Sequence, residues 1–213
     1  MEYKSIFLKE EVTIKHLYTI HYFEYMNTFS FMGESHDFWE FVYVDKGAVE
    51  ITSNDCIHRL EKGDIIFHQP NEFHNVTADG TIAPNLIVIS FACESPHMSF
   101  FQNKILRLDE IERNLLASVI FEAKRSFAGR LDDPYQEEMF LNQPLPFGSL
   151  QLIKLYMEHF LIHLVRRHCE EDFSTGKLPF QTAKITKQKN NREIFTHVTQ
   201  YLDSRLDTRL TIE

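Results

Sequence analysis

Over its first hundred residues the chain sets short apolar runs between turn-forming residues. Leu17–Phe31 is rich in aromatic and β-branched side chains, which suit a pleated, half-buried surface. Phe38–Val44 and Ala48–Thr52 flank Asp45-Lys46-Gly47, which reads as a hairpin loop with Gly47 free to take a positive φ. Asn54-Asp55, Gly63-Asp64, Pro70-Asn71 and Asp79-Gly80 then punctuate the runs 56–60, 65–68, 73–77 and 85–92. Short strands at this spacing predict an all-β sandwich or barrel. Alternation within Phe38–Val44 sends Phe38, Glu40 and Val42 to one face and Trp39, Phe41 and Tyr43 to the other.

Past Pro96 the period changes. Ile111, Leu115, Val119, Ala123 and Phe127 recur at helical spacing, with Asp109, Glu110 and Glu112 near the positive end of the dipole, so a helix is expected over 108–127. Residues 129–148, with two Gly and three Pro, read as a loop. A second helix is expected over 149–168, where Leu150, Met157 and Leu164 repeat every seven residues and Ile153 and Phe160 fill the stripe between them. Residues 174–192 are polar, basic and aperiodic, as in a linker. Ile194, Val198, Tyr201 and Leu202 mark a third helix over 192–205, and Thr211 reads as the N-cap of another. A chain stopping there is expected to be a fragment.

Composition narrows the classes. Of 213 residues, 43% are apolar and 25% charged, which is ordinary for a globular chain. No apolar run reaches the roughly 18 residues of a membrane span, and the N-terminus lacks a signal-peptide apolar region. Three cysteines without C-x-x-C spacing predict neither a disulfide framework nor a zinc ribbon, and make a cytoplasmic setting the default. The net charge of −9 argues against nucleic acid until it is divided: residues 174–213 carry +3 and residues 1–173 carry −12.

One constellation carries chemistry. His36, Glu40 and Gly47 form H-x3-E-x6-G, and Gly63-Asp64, Pro70 and His74 form G-D-x5-P-x3-H. This arrangement resembles the cupin double-stranded β-helix, and more closely the N-terminal sensor domain of AraC-type (AraC/XylS) transcriptional regulators. Phe147–Arg167 resembles the helix by which such sensors dimerise. Ile194–Ile212 resembles the start of their helix-turn-helix DNA-binding domain. Glu34 stands where the family has the first His of H-x-H.

The resemblance implies a mainly β fold with C-terminal helices. Residues 1–105 would form the cupin ligand-sensing barrel, 106–173 a helical dimerisation segment, 174–192 a linker and 193–213 the first helix of the DNA-binding domain. It implies a small-molecule effector, a homodimer through the 149–168 helix, DNA as partner of the intact regulator but not of this fragment, and no membrane. His36, Phe38, Glu40 and His74 are the expected ligand-binding residues, and a sugar would suit such a pocket. Glu34, His36, Glu40 and His74 could instead hold a divalent metal, although the resemblance favours polar lining and no cofactor. His159 and His163, four apart, suit a wet helix face or a dimer contact better than zinc, since no H-E-x-x-H glutamate separates them. No nucleophile elbow, P-loop or dinucleotide fingerprint is present, so an enzyme is not expected. The rival reading is a metal-dependent cupin dioxygenase or isomerase on those four ligands.

Overall fold

Strand β3 (Trp39–Lys46) is buried on both faces over its first six residues, because one face lines a barrel and the other lies beneath helices. The computed structural model describes residues 2–170. Contacts divide the chain into Met1–Phe173 and Ser174–Glu213. The linker and third helix expected at 174–213 lie outside the described residues.

The other strands are β1 (Ile14–Glu24), β2 (Ser30–Glu34), β4 (Ala48–Ser53), β5 (Cys56–Glu61), β6 (Asp64–His68), β7 (His74–Ala78), β8 (Asn85–Cys93) and β9 (Ile105–Arg107). They form two antiparallel sheets, ordered β1-β8-β3-β6-β9 and β2-β7-β4-β5. Helices α1 (Glu110–Ser126) and α2 (Ser149–Glu170) follow. Between them β10 (Phe127–Ala128) pairs with β11 (Phe140–Leu141), a short ribbon within the stretch expected to be loop. The fold is a cupin-type β-sandwich followed by helices.

Three expectations are corrected. The run Leu17–Phe31 is two strands in different sheets, β1 and β2. Asp45-Lys46-Gly47 is no hairpin: β3 and β4 belong to different sheets, and Gly47 (φ +77°) turns the corner between them. The hairpin is instead β4–β5, where Asn54 holds φ +50°. Lastly, the heptad stripe of α2 is intrachain core rather than a dimer seam. Ile153, Met157, Phe160 and Leu164 are buried with Leu115, Val119 and Ala123 of α1 and with Trp39, Phe41 and Tyr43 of β3, leaving only Leu150 of that stripe exposed. Phe41 and Phe160 meet at 5.7 Å between ring centroids. The alternation of β3 holds, but its second face serves the helices. A buried ring against either face gains dispersion contact and loses water, which is why both helices settle there.

Helix α1 begins with a capping box. The Asp109 carboxylate accepts from the Glu112 backbone N–H and the Glu112 carboxylate from that of Asp109, each at 2.8 Å.

Candidate functional site

Strand register sorts the barrel interior into layers. Glu40 of β3 lies opposite His68 of β6 and Ser90 of β8. Ser90 in turn pairs with Thr19 of β1, and His74 of β7 pairs with Ser53 of β4 and Glu34 of β2. Two residues along, the same strands supply Val42, Ile66, Val88, Ile51 and Val76. A polar layer thus rests on an apolar one, as the period-two alternation of side chains requires. A cavity of about 410 Å³ opens over both. It takes in Glu34, His36, Phe38, Glu40, His74 and Ser90 from the polar side and Val42, Val76 and Val88 from the apolar side.

All four expected ligand-binding residues therefore line one cavity, and Glu34 joins them at its half-exposed rim. Glu34, His36, Glu40 and His74 bring one donor atom each to within 4.8 Å of one another. The Glu40 carboxylate is the centre. It accepts from the Ser90 hydroxyl at 2.6 Å, and its oxygens lie 3.6 Å from His36 Nε2 and 3.3 Å from His74 Nε2. Burial alone would raise its pKa, but the two imidazoles and Ser90 hold the carboxyl far below the usual range. Burial likewise opposes charging His74, yet the Glu40 carboxylate outweighs it and the imidazole is held above its ordinary value. Burial, with repulsion from Glu40, pushes Glu34 up.

The tautomers follow from the backbone. His36 Nδ1 faces the Phe38 carbonyl and His74 Nδ1 the Glu72 carbonyl, both at 3.0 Å. A carbonyl only accepts, so each Nδ1 carries hydrogen and donates. Both Nε2 atoms are left toward Glu40, buried and without a well-aligned hydrogen bond. Two imidazoles fixed by Nδ1–H to carbonyl bonds, with both Nε2 atoms turned toward Glu40 and Glu34 near His74, fit a divalent cation. The residues present therefore match a metal-holding set.

Several site residues were not anticipated. His68 is fully buried, stacks on His74 at 4.2 Å between centroids, and its Nδ1 donates to the Glu72 carboxylate at 3.1 Å. Burial pulls His68 down, while the His68 contact outweighs burial in lowering Glu72. Ser90, Thr19 and His21 line the cavity from β8 and β1, and Pro134–Glu137 border it from the loop before β11. The signal for Ser90 was available: among Leu86, Val88, Ser90 and Ala92, the positions of β8 at its parity, it is the lone polar side chain, whereas His68 shares its parity in β6 with Asp64. No such pattern marks the loop.

His159 and His163 do not form a site. His159 is exposed, and His163 Nδ1 reaches across to Glu112 Oε1 at 3.1 Å. Asp109, Glu112 and His163 do converge. However, the Arg167 guanidinium already clasps both Glu112 oxygens at 2.8 Å, filling the place of a cation. Among the described residues no helix is long and apolar enough to cross a membrane.

The chain is similar to the Cnp3 cupin domain of Schizosaccharomyces pombe, at 14% identity and TM-score 0.34, over 42% of this chain and 59% of that one. It is also similar to the DMSP lyase DddQ of Ruegeria pomeroyi, at 15% identity and TM-score 0.30, over 41% and 40%. Protein NMB1881 of Neisseria meningitidis gives 11% identity and TM-score 0.31, over 42% and 89%. The chain thus spans little more than half the length of the first of these and less of the second. No curated protein matches. Residues 16–94, which contain every strand from β2 to β7 and all four cavity donors, match the AraC-like ligand binding domain family.

Proposed function

We propose that the barrel is the effector-sensing domain of an AraC-type transcriptional regulator and not an enzyme. The observation that carries this reading is the roughly 410 Å³ cavity with a polar layer on one side and an apolar layer on the other, lined mainly by the segment that matches a ligand-binding family. Such a cavity orients a small molecule through a few polar groups and holds it by apolar contact. In the intact regulator the effector acts through its different affinity for two arrangements of the chain. The arm at residues 2–11, whose Tyr3, Ile6, Phe7 and Leu8 are exposed, is the element proposed to respond. The partners are a second copy across the outward face of α2, and DNA through a helix-turn-helix domain whose first helix lies in 193–213. The setting is cytoplasmic.

The test is an effector screen by thermal shift, followed by operator binding of the intact regulator with and without the hit. A hit that raises the melting temperature and changes DNA affinity supports the reading. Effectors that stabilise the barrel but never change DNA binding overturn the regulatory part.

A second reading has the paired Nε2 atoms behind it. Glu34, His36, Glu40 and His74 would hold a divalent metal, which when bound supplies a Lewis acid for oxygenase or isomerase chemistry. Metal analysis of protein purified without chelator decides it: stoichiometric metal lost in His36→Ala and His74→Ala supports this reading, and metal-free folded protein rejects it.

A further inference from the structure

The charge and hydrogen-bonding balance of the cavity is one-sided. Three carboxylates line it, those of Glu34, Glu40 and Glu137, and among the described residues no lysine or arginine does. Glu40 is already engaged by Ser90, His36 and His74. Glu34 and Glu137 are left at the rim of the same cavity, and burial, with the charges of Glu40 and Glu137, makes ionising Glu34 costlier.

Around Glu40 the donors are committed: the Ser90 hydroxyl points to Glu40, the Thr19 hydroxyl shares a 2.8 Å bond with Ser90, and both Nδ1–H groups serve backbone carbonyls. The Tyr18, Tyr25 and Tyr135 hydroxyls also line the cavity, and the rim faces a ligand with the Glu34 and Glu137 carboxylates. A sugar hydroxyl must both give and receive, whereas an ammonium has three donors and no acceptor. A carboxylate or phosphate would meet like charge in a low-dielectric wall. Below the polar layer, Val42, Val76 and Val88 and the rings of Tyr25, Phe29 and Phe31 offer an apolar bed.

We propose that the effector is an organic cation, a primary amine on a short apolar or aromatic body, with its ammonium at Glu34 and Glu137 and its body over the valine layer. This rests on the sensor reading above and names its ligand class. An ammonium beside the two rim carboxylates makes charge-assisted hydrogen bonds to them, and the rings below pack against the ligand's body.

The experiment titrates the protein calorimetrically with three near-isosteres: 2-phenylethylamine, 2-phenylethanol and 3-phenylpropionate. The same titration is run with arabinose and with manganese(II) chloride alone. The amine is expected to bind roughly tenfold or more tighter than the alcohol, one charge-assisted hydrogen bond being enough for that ratio, and the acid is expected not to bind. Glu34→Gln with Glu137→Gln should erase the amine's advantage and leave the affinity for the alcohol unchanged, which also shows that the double variant is folded. Equal or tighter binding of the alcohol, the acid or arabinose overturns the cation while keeping a small-molecule sensor. Manganese binding without amine binding overturns it in favour of the metal reading. Silence from all five overturns the cation and the sensor together.

Discussion

Gly33 shows how one residue sets the rim of the cavity. It holds φ +103° inside β2, at the register irregularity that lets Glu34 face His74. A Cβ there would stand 2.5 Å from the Phe73 ring and 2.8 Å from the His74 carbonyl oxygen. The ring can swing aside, but the carbonyl belongs to the strand that carries His74 and cannot. Gly33→Ala should therefore cost about 1–3 kcal/mol in urea unfolding, as for other residues forced into sparsely populated backbone regions, and should weaken cation binding by moving Glu34. Unchanged stability and unchanged binding would show that β2 absorbs the methyl. At this scale the sequence was informative where chemistry is local: His36, Glu40 and His74 are legible from spacing. Glu72 and Glu137 were not, because nothing in their own neighbourhoods reveals that a buried imidazole or a cavity rim will lie beside them.

Pairs of elements depend on interactions that cross them, and the joint between α1 and α2 is the clearest case. Glu112 caps its own helix, is fully buried, and meets Arg167 and His163 of α2. Burial alone would raise its pKa, but Arg167, the Asp109 backbone and His163 hold the carboxyl below its ordinary 4.5. A lowered folded-state pKa means that the unfolded chain binds the proton more readily. The resulting stability is fully present above 4.5 and is lost as pH falls through the folded value. Glu112→Gln should cost roughly 2–4 kcal/mol at neutral pH, since it takes the bidentate carboxylate away from a half-buried guanidinium. The gap between variant and wild type should close on acidification, read from urea melts across that range. A gap independent of pH would mean that shape, not charge, holds the joint. The sequence reading placed Asp109 and Glu112 at the positive end of the dipole and missed the reciprocal cap between them. The clasp spans fifty-five positions and has no local trace, just as the corner at Gly47 looked like a hairpin until the two sheets were seen.

For the whole molecule, the proposed homodimer turns on which side of α2 would meet a second copy. Heptad spacing and the family resemblance together favoured Leu150, Met157 and Leu164, yet any buried helix shows such a stripe, and here it faces the strands and α1. The opposite side carries Leu152, Leu155 and His159 at three- and four-residue steps. Leu155 is 48% exposed and Leu152 is half-buried, which is ill-suited to water and suited to a helix of a second copy. Two substitutions separate the faces. Leu155→Glu should leave the melting temperature nearly unchanged and convert a dimer to a monomer in size-exclusion chromatography with light scattering. Phe160→Ala should cost about 3–5 kcal/mol by opening a cavity under Phe41, with dimerisation lost only as the fold is lost. If Leu155→Glu remains dimeric while folded, the contact lies elsewhere, and the exposed Phe121 of α1 becomes the next position to charge.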